Sequence, residues 1–216
     1  FYHEMITHVA MNTHPDPQKV LVIGGGDGGT VREVLKHPSV SRVTLAEIDG
    51  RVVEAAKEYL PSIACGLSDP RVEIKITDGI IYAREHPNQF DVVIIDSPDP
   101  VGPATGLFGR EFYQSVFKAL KSDGIMVAQT ESPITERELI RKVWKNLKDL
   151  FPVTRLYLGI VPTYPGGLFS YTLATKGPDP LAVPAESFIP VETKYYTPEI
   201  HKAAFILPPF VEELIK

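Results

Sequence analysis

The sequence predicts an α/β fold: a doubly wound, mostly parallel sheet of seven strands with an antiparallel edge near the C-terminus. Short apolar runs alternate with amphipathic helical patterns as far as Phe151, and this alternation is typical of parallel sheets covered by helices on both faces. The first and fourth runs are almost entirely apolar, as buried parallel strands are. After Phe151, two strand patterns are separated only by residues 162–167, which favours antiparallel pairing.

Strands are expected at the short apolar or alternating runs. These runs are residues 19–23, 42–48, 72–77, 90–96, 125–129, 154–160 and 168–175. Glycine and proline are spread along the chain without forming a linker. Residues 1–216 are therefore expected to form one domain around one sizeable core, or one domain with a small appendage.

Amphipathic helices are expected between the strands. The first begins near Thr30, directly after a glycine-rich segment. In residues 51–60 the expected apolar face is Val52, Ala55, Ala56 and Tyr59. In residues 110–120 it is Phe112, Tyr113, Val116, Phe117 and Leu120. Thr135 to Glu138 has the spacing of a capping box, followed by the apolar face Leu139, Ile140, Val143, Trp144 and Leu147. Residues 196–216 hold two short helical patterns separated by Pro208-Pro209.

The composition excludes several classes of protein. Apolar residues make up 44% and charged residues 23% of the chain, which is ordinary for a globular domain. The net charge of −5 does not attract nucleic acid or an anionic membrane. No apolar run reaches the ~18 residues of a membrane span, and the first residues lack the features of a signal peptide.

Cys65 is the single cysteine, which excludes an internal disulfide and a cysteine zinc cluster. We expect it to be a small packing residue in a reducing, cytoplasmic setting.

The glycine-rich segment after the first strand is the first candidate site. Gly24, Gly26 and Gly29 satisfy G-x-G-x-x-G between a strand and a helix, which favours nucleotide binding, whereas a plain turn with positive φ is the alternative. Asp27 lies inside this loop, where a carboxylate would repel a pyrophosphate and attract an ammonium or sulfonium group. The loop therefore favours an adenosyl sulfonium compound over a dinucleotide.

Acidic residues follow the next two strands. Glu47 lies about twenty residues beyond the glycines, where a carboxylate accepts both ribose hydroxyls in several classes of enzyme. Asp49 is expected to cap the next helix. Asp78 can accept from an adenine amine, with Gly79 allowing close approach of the backbone, or it can simply cap a helix.

The segment after the fourth strand, residues 96–109, is rich in proline and glycine and carries Asp96 and Asp99. Such a loop at the carboxyl end of a strand suits a substrate gate, although turn-forming aspartates are the alternative. Asp96 and Asp99 can both reach one small cation. Together with Asp27, Glu47 and Asp78 they predict an acidic pocket for a polycationic substrate.

These residues resemble the spermidine synthase family, the polyamine aminopropyltransferases. The resemblance covers essentially the whole chain and is carried by Tyr2-His3-Glu4-Met5, residues 24–29, Glu47-Ile48-Asp49, Asp78-Gly79, residues 96–103, Pro162-Thr163-Tyr164-Pro165-Gly166-Gly167, and the tail segments 194–196 and 201–205. It implies a Rossmann-like fold similar to class I S-adenosylmethionine-dependent methyltransferases. The implied donor is decarboxylated S-adenosylmethionine, the acceptor is putrescine, and the products are spermidine and 5′-methylthioadenosine.

The resemblance also assigns roles to single residues. It matches Asp96 to the proton acceptor, Glu47 to the ribose ligand, and Asp78 with Gly79 to the adenine site. The remaining assignments are Pro103 for the wall of the adenine site, and Tyr2, His3, Asp27, Asp99 and Tyr164 for the aminopropyl and diamine contacts. Two residues depart from the family pattern: Pro98 stands where the family usually has serine or threonine, and Phe169 stands where the family often has tryptophan. The resemblance further implies a small upstream β domain and a homodimer or homotetramer.

Several alternatives stay open at this stage. An N-methyltransferase would need a partner for the carboxylate of S-adenosylmethionine, and a dehydrogenase would need to bind a pyrophosphate; Asp27 disfavours both. A non-catalytic adenosyl-binding fragment is the third alternative. The six histidines show no metal-ligand spacing, so no metal is expected. We expect His37, His86 and His201 at the surface or at helix caps. The preferred amine among putrescine, cadaverine, agmatine and spermidine is left open.

Overall fold

Seven strands form a single sheet in the computed structural model, which describes residues 1–164 and 166–216 and all of their side chains except that of Pro103. The strands are β1 (Lys19–Gly24), β2 (Arg42–Glu47), β3 (Val72–Ile76), β4 (Phe90–Asp96), β5 (Leu120–Gln129), β6 (Val153–Ile160) and β7 (Leu168–Thr175). Their order is β3-β2-β1-β4-β5-β7-β6. The first five are parallel, and β7 runs antiparallel to both β5 and β6. The predicted fold class is confirmed.

Nine α-helices occur in the described residues. They are α1 (Tyr2–Thr13), α2 (Gly29–Val34), α3 (Gly50–Tyr59), α4 (Pro61–Ala64), α5 (Gly79–Glu85), α6 (Arg110–Ala119), α7 (Arg137–Lys148), α8 (Pro198–Ala203) and α9 (Pro209–Glu212). Three 3₁₀ segments cover Cys65–Ser68, Gly102–Phe108 and Ala185–Ser187. None of the helices in residues 1–164 and 166–216 is long and apolar enough to cross a membrane.

Side chains of alternate residues on the central strands pack into two hydrophobic cores, one on each face of the sheet. On β1, Val20 and Val22 pack with α1 and α2, whereas Leu21 and Ile23 pack with α5 and α6. This period of two with both faces covered explains why β1 and β4 are apolar throughout. The strand order reverses between β1 and β4, so the crevice beyond their carboxyl ends is the expected ligand site.

The structure corrects several helix predictions. Helix α3 buries Val53 and Ala56, whereas Val52 and Tyr59 are 43% and 72% exposed, because α3 lies toward the sheet edge formed by the half-buried β3. Thr135 does not cap α7, whose N-cap is Glu136 without a side-chain bond. A turn closed by Glu136 N–H to the Ser132 carbonyl precedes it instead.

Strand β5 also begins earlier than the predicted residue 125. Its pairing with β4 is irregular between Phe90 and Val92, where the polar residues 121–124 interrupt the apolar run. Lys121 binds Asp91 of β4 across this irregularity. The apolar half of β5, from Ile125, has the predicted bounds.

Three single-residue predictions are wrong. Cys65 is exposed rather than packed. His37 and His201 are fully buried rather than on the surface. His201 hydrogen-bonds to the hydroxyl of Tyr196, and His37 to the ring of His8. His86 is partly exposed and stacks on Tyr82, as expected of a surface residue.

Candidate active site

The glycine-rich loop packs directly against the end of β4. Gly24, Gly25 and Gly28 have φ values of 75°, 66° and 82°, which favour glycine. A Cβ on Gly24 would lie 2.3 Å from the carbonyl oxygen of Asp96. The positive φ values of the turn and the close contact with β4 therefore both require glycine. The glycines allow the loop to pack against the segment that carries Asp96.

Glu47 is held rigidly at the end of β2. The residue is 8% exposed, and its carboxylate accepts hydrogen bonds from the backbone N–H of Gly26 at 3.1 Å and of Asp49 at 3.0 Å. The Asp49 side chain accepts from Arg51 N–H and caps α3, as predicted. The Glu47 carboxylate therefore cannot rotate freely, and it lines the first of two cavities at this edge of the sheet.

The first cavity has a volume of about 240 Å³ and opens beyond the ends of β1 and β2. It is lined by Ile23, Gly24, Ala46, Glu47, Ile48, Asp78, Gly79, Ile80, Pro98, Val101, Ala104 and Leu107. Aliphatic walls with a few polar groups at one end suit a nucleoside. Pro103 lies outside the described side chains, so its predicted role stays a prediction.

Asp78 and Gly79 join this cavity to the start of α5. The Asp78 side chain accepts from Ile80 N–H at 2.7 Å, so the helix-cap interpretation is correct. A Cβ on Gly79 would lie 2.3 Å from Cγ2 of Ile23, which shows why a glycine stands where α5 meets β1. Contact of Asp78 with an adenine stays a prediction.

Asp96, at the end of β4, is bound by two hydroxyl groups. Tyr2 donates to Oδ1 and Thr30 donates to Oδ2, each at 2.6 Å. Burial raises the pKa of the Asp96 carboxyl above its usual value, although the charge of His3 and the two hydroxyl bonds oppose the rise. A carboxylate with a raised pKa and fixed orientation is suited to accept a proton.

His3 and Asp27 form an ion pair beside Asp96. His3 Nε2 lies 3.2 Å from Oδ2 of Asp27, whose other oxygen accepts from Gly29 N–H. Burial would lower the pKa of His3, but the bond to Asp27 and the charge of Asp96 raise it above its ordinary value. Burial would raise the pKa of Asp27, but the bond to His3 and its positive charge lower it. The pairing therefore favours the charged form of each partner.

The fold brings together a possible set of metal ligands that sequence spacing does not reveal. Ligand atoms of His3, Asp27 and Asp96 lie within 4.8 Å of one another. Their oxygens already accept bonds from Tyr2, Thr30 and Gly29. The present arrangement is therefore that of a hydrogen-bonded acid–base cluster.

A second cavity of about 320 Å³ lies on the other side of the loop after β4. It is lined by Asp99, Pro100, Val101, Glu131, Ser132, Thr135, Glu136, Tyr164 and Phe169. Val101 lines both cavities, so this loop separates them. Tyr164 is 46% exposed and stacks on Phe169 with ring centroids 5.4 Å apart. Burial and the nearby charges of Asp99, Glu131 and Asp96 raise the pKa of Tyr164.

Sequence reasoning missed Glu131 as a site residue, as it missed the hydroxyl of Thr30. Glu131 has a φ of 67°, which is unusual for a residue other than glycine and is typical of functional sites. Gln129 orients it: the side-chain amide of Gln129 donates to Glu131 Oε1 at 2.9 Å and accepts from its backbone N–H. Burial raises the pKa of Glu131 to about 7; the bond from Gln129 lowers it, and the neighbouring Asp99 carboxyl raises it. Its position just after β5 was the available signal, since Asp27, Glu47, Asp78 and Asp96 also lie at or just after the ends of parallel strands.

The predicted site residues therefore fall into three groups. Gly24, Glu47, Asp78 and Gly79 line the first cavity, and Gly26 binds Glu47. Tyr2, His3, Asp27 and Asp96 form the hydrogen-bonded cluster. Asp99 and Tyr164 line the second cavity.

Comparison with known proteins shows the family of this chain. The model of the spermine/spermidine synthase domain family matches residues 1–182. The polyamine aminopropyltransferase of Moorella thermoacetica is 60% identical over 216 residues, all of this chain and 76% of that protein. The polyamine aminopropyltransferase of Shouchella clausii is 55% identical over 215 residues, 100% of this chain and 78% of that protein.

Solved structures show the same fold. A spermidine synthase in complex with the transition-state analogue AdoDATO superposes with a TM-score of 0.93 at 49% identity, covering 99% of this chain and 74% of that one. The spermidine synthase from Thermotoga maritima gives a TM-score of 0.91 at 48% identity, covering 99% and 73%. On the family match and these identities, the chain belongs to the spermine/spermidine synthase family.

Proposed function

We propose that this site transfers an aminopropyl group from decarboxylated S-adenosylmethionine to putrescine, giving spermidine and 5′-methylthioadenosine. The observation that carries the proposal is the position of Asp96. Its backbone contacts Gly24, which lines the first, nucleoside-sized cavity. Its negative charge contributes to the raised pKa of Tyr164, which lines the second, acidic cavity. A proton acceptor between a nucleoside pocket and a cation pocket suits alkyl transfer to an amine.

The donor half of the proposal rests on the first cavity. Glu47 faces the two ribose hydroxyls, the adenine lies between aliphatic walls such as Ile23 and Ile80, and Asp78 accepts from its exocyclic amine. The sulfonium end points toward the cluster of Asp27 and Asp96, where two carboxylates favour positive charge. The TM-score of 0.93 with a spermidine synthase in complex with the transition-state analogue AdoDATO supports the binding of an adenosyl donor by this fold.

The acceptor half rests on the second cavity. Asp99 and Glu131 are neighbouring carboxyls whose combined charge attracts the ammonium ends of a diamine. Tyr164 and Phe169 form an aromatic wall that suits the methylene chain. We therefore place one amine of putrescine near Asp96 and the rest of the molecule along this wall.

The chemical step is a direct displacement. The acceptor nitrogen forms a bond to the carbon beside the sulfonium as the C–S bond breaks, and methylthioadenosine leaves as a neutral thioether. The amine must first lose a proton, which costs about 4 kcal/mol at pH 7 for a pKa near 10. Asp96 accepts this proton, directly or through water, and Tyr2 and Thr30 hold its oxygens in place.

A mass-spectrometric assay tests the proposed function. The chain is incubated with decarboxylated S-adenosylmethionine and an equimolar mixture of putrescine, cadaverine, agmatine and spermidine. We expect methylthioadenosine and spermidine as the main products. Parallel reactions replace the donor with S-adenosylmethionine. Methylated amines from S-adenosylmethionine, or no aminopropylated product from the decarboxylated donor, would contradict the proposal.

The raised pKa of Glu131 predicts that diamine binding depends on pH. A carboxyl with a pKa of about 7 is neutral below that pH and anionic above it, whereas a diamine with pKa values near 10 stays dicationic. Affinity for putrescine, measured by calorimetry with methylthioadenosine present, should therefore increase as the pH rises through about 7. Glu131→Gln should remove this increase and weaken binding at higher pH by about 10-fold, as expected for a lost charge-assisted hydrogen bond.

Glu136→Gln is the matched control for this measurement. Glu136 lines the same cavity but is exposed. Its charge contributes to the raised pKa of Glu131, so its loss should keep the pH dependence of putrescine binding and shift it to lower pH. An unchanged pH profile in Glu131→Gln would show that another group titrates.

The upstream β domain and the homodimer or homotetramer that the family resemblance implies stay predictions. Native mass spectrometry of the protein tests the assembly directly. Putrescine as the preferred acceptor and the cytoplasmic location also stay predictions.

A further inference from the structure

Three ionisable side chains are buried together between α1 and α2, away from both cavities. His8 Nε2 lies 3.0 Å from Oε2 of Glu33, and His8 Nδ1 lies 3.0 Å from Nε2 of His37. All three residues are almost completely buried. We refer to His8, Glu33 and His37 as the histidine relay.

The relay is an unusual element for a hydrophobic interior. A buried carboxylate needs hydrogen-bonding or charged partners. Glu33 contacts the ring of His8 and pairs with Arg32 and Lys36. Burial alone would raise the pKa of Glu33, but these partners lower it to about 2. Burial and the charge of His8 lower the pKa of His37 to about 3. Apolar residues of similar volume often stabilise a core as well as a buried ion pair does, so stability alone does not explain these groups, and a role in setting the register between elements is the alternative hypothesis.

The two helices that the relay joins both have their N-terminal ends beside Asp96, the proposed proton acceptor. Helix α1 carries Tyr2, and helix α2 carries Thr30; the two hydroxyls hold opposite oxygens of Asp96. His8 lies about 8 Å along α1 from His3, and Glu33 lies one turn beyond Thr30. A shift of α1 against α2 would therefore separate Tyr2 from Asp96 and His3 from Asp27.

The rest of the molecule holds α1 by different contacts. Glu4 accepts backbone N–H bonds from residues 194–196, and Asn12 binds the hydroxyl of Tyr196. These bonds join α1 to the C-terminal segment and do not reach α2. Among the contacts of the described residues, the direct side-chain bond between α1 and α2 is that of His8 with Glu33, and His37, just beyond α2, binds the other ring nitrogen of His8.

We propose that His8 is a positioning residue, which acts through Glu33 and His37 to hold Tyr2 and His3 in register with Asp96 and Asp27. This inference rests on the proposed function for its kinetic test. The reaction is sensitive to such a shift, because a misplacement of about 1 Å can lower a rate by roughly 10²-fold. The nucleoside cavity contains no residue of α1, so nucleoside binding should not depend on His8.

The test compares the native chain with His8→Phe and His8→Gln. His8→Phe keeps a ring but removes both hydrogen bonds, and we expect kcat to fall about 10-fold. Calorimetry should show affinity for methylthioadenosine within about 2-fold of native. His8→Gln keeps a donor for Glu33 and should recover part of kcat. If His8→Phe fails to fold, Glu33→Gln replaces it, and the same loss of kcat is expected.

Asn12→Ala is the matched control, since Asn12 lies one turn further along α1 and also faces Tyr196. It should lower Tm while kcat stays within about 2-fold of native. A kcat within 2-fold of native in folded His8→Phe would overturn the proposal. An equal loss of kcat in Asn12→Ala would overturn it as well, because any weakening of α1 would then suffice.

A second measurement does not need turnover. The pKa of His3 is raised by its pairing with Asp27, and NMR titration of the histidine ring follows it directly. In His8→Phe the pair should loosen, so the pKa of His3 should fall from its native value; Asn12→Ala should leave it unchanged. An unchanged His3 titration in His8→Phe would contradict the proposal. Absence of turnover in the native chain would instead refute the proposed function.

Discussion

Replacement of Asp96 by asparagine is expected to lower kcat by about 10²–10⁴-fold, the usual range for a lost general base. The amide keeps the shape of the side chain and can still contact Tyr2 and Thr30, but it cannot accept a proton from the acceptor amine. Affinity for methylthioadenosine should persist, because Asp96 does not line the nucleoside cavity. Steady-state kinetics and calorimetry on the same preparation measure both quantities.

Two further measurements decide whether Asp96 acts as the base. At higher pH more of the amine is already neutral, so the variant should recover part of its rate; a flat pH response would argue against proton transfer. Asp91→Asn provides the control, since Asp91 is a buried carboxylate at the other end of β4 that binds backbone N–H groups and Lys121. It should retain near-native kcat. Near-native turnover of Asp96→Asn at pH 7 would require a different base.

Replacement of Glu47 by glutamine is expected to weaken methylthioadenosine binding by about 1.5–3 kcal/mol, or roughly 10- to 150-fold. The carboxylate is held by Gly26 and Asp49 backbone N–H groups and faces the nucleoside cavity. A neutral amide forms weaker hydrogen bonds to ribose hydroxyls. Calorimetry on the folded variant gives the change in affinity.

Asp49→Asn is the control for Glu47. Asp49 lies two residues further along and caps α3 without lining the cavity, so its amide variant should bind methylthioadenosine within about 2-fold of native. If Glu47→Gln bound as tightly as native, the ribose assignment would be wrong.

The strand content of the fold and half of the site were predictable from local patterns. Buried strands such as β1 and β4 are apolar throughout because both faces are covered. Since the carboxyl ends of parallel strands meet at one edge, the segments after them predicted Glu47, Asp78 and Asp96 as neighbours. These inferences succeeded because buried strands appear in the sequence as apolar runs, and the residues at the edge of a parallel sheet directly follow those runs.

Helix faces and ends were less predictable. Helix α1 shows no clear amphipathic pattern because residues 4–13 are all buried, polar ones included. The predicted buried face of α3 was wrong, because the sequence pattern does not reveal that this helix lies near an edge strand. The helix buries only Val53 and Ala56. In both cases the surrounding elements, and not the helix sequence, decide which side chains meet solvent.

The amino-acid sequence by itself determined the strands, the acidic character of the site and the family resemblance, since each depends on residue types at short or regular spacing. Only the tertiary structure decided which distant groups meet: Tyr2 and Thr30 on Asp96, Glu131 beside Asp99, and His8 on Glu33. The pKa values of Glu131 and Asp96 were also decided there, because burial and neighbouring charges depend on contacts between residues far apart in the chain.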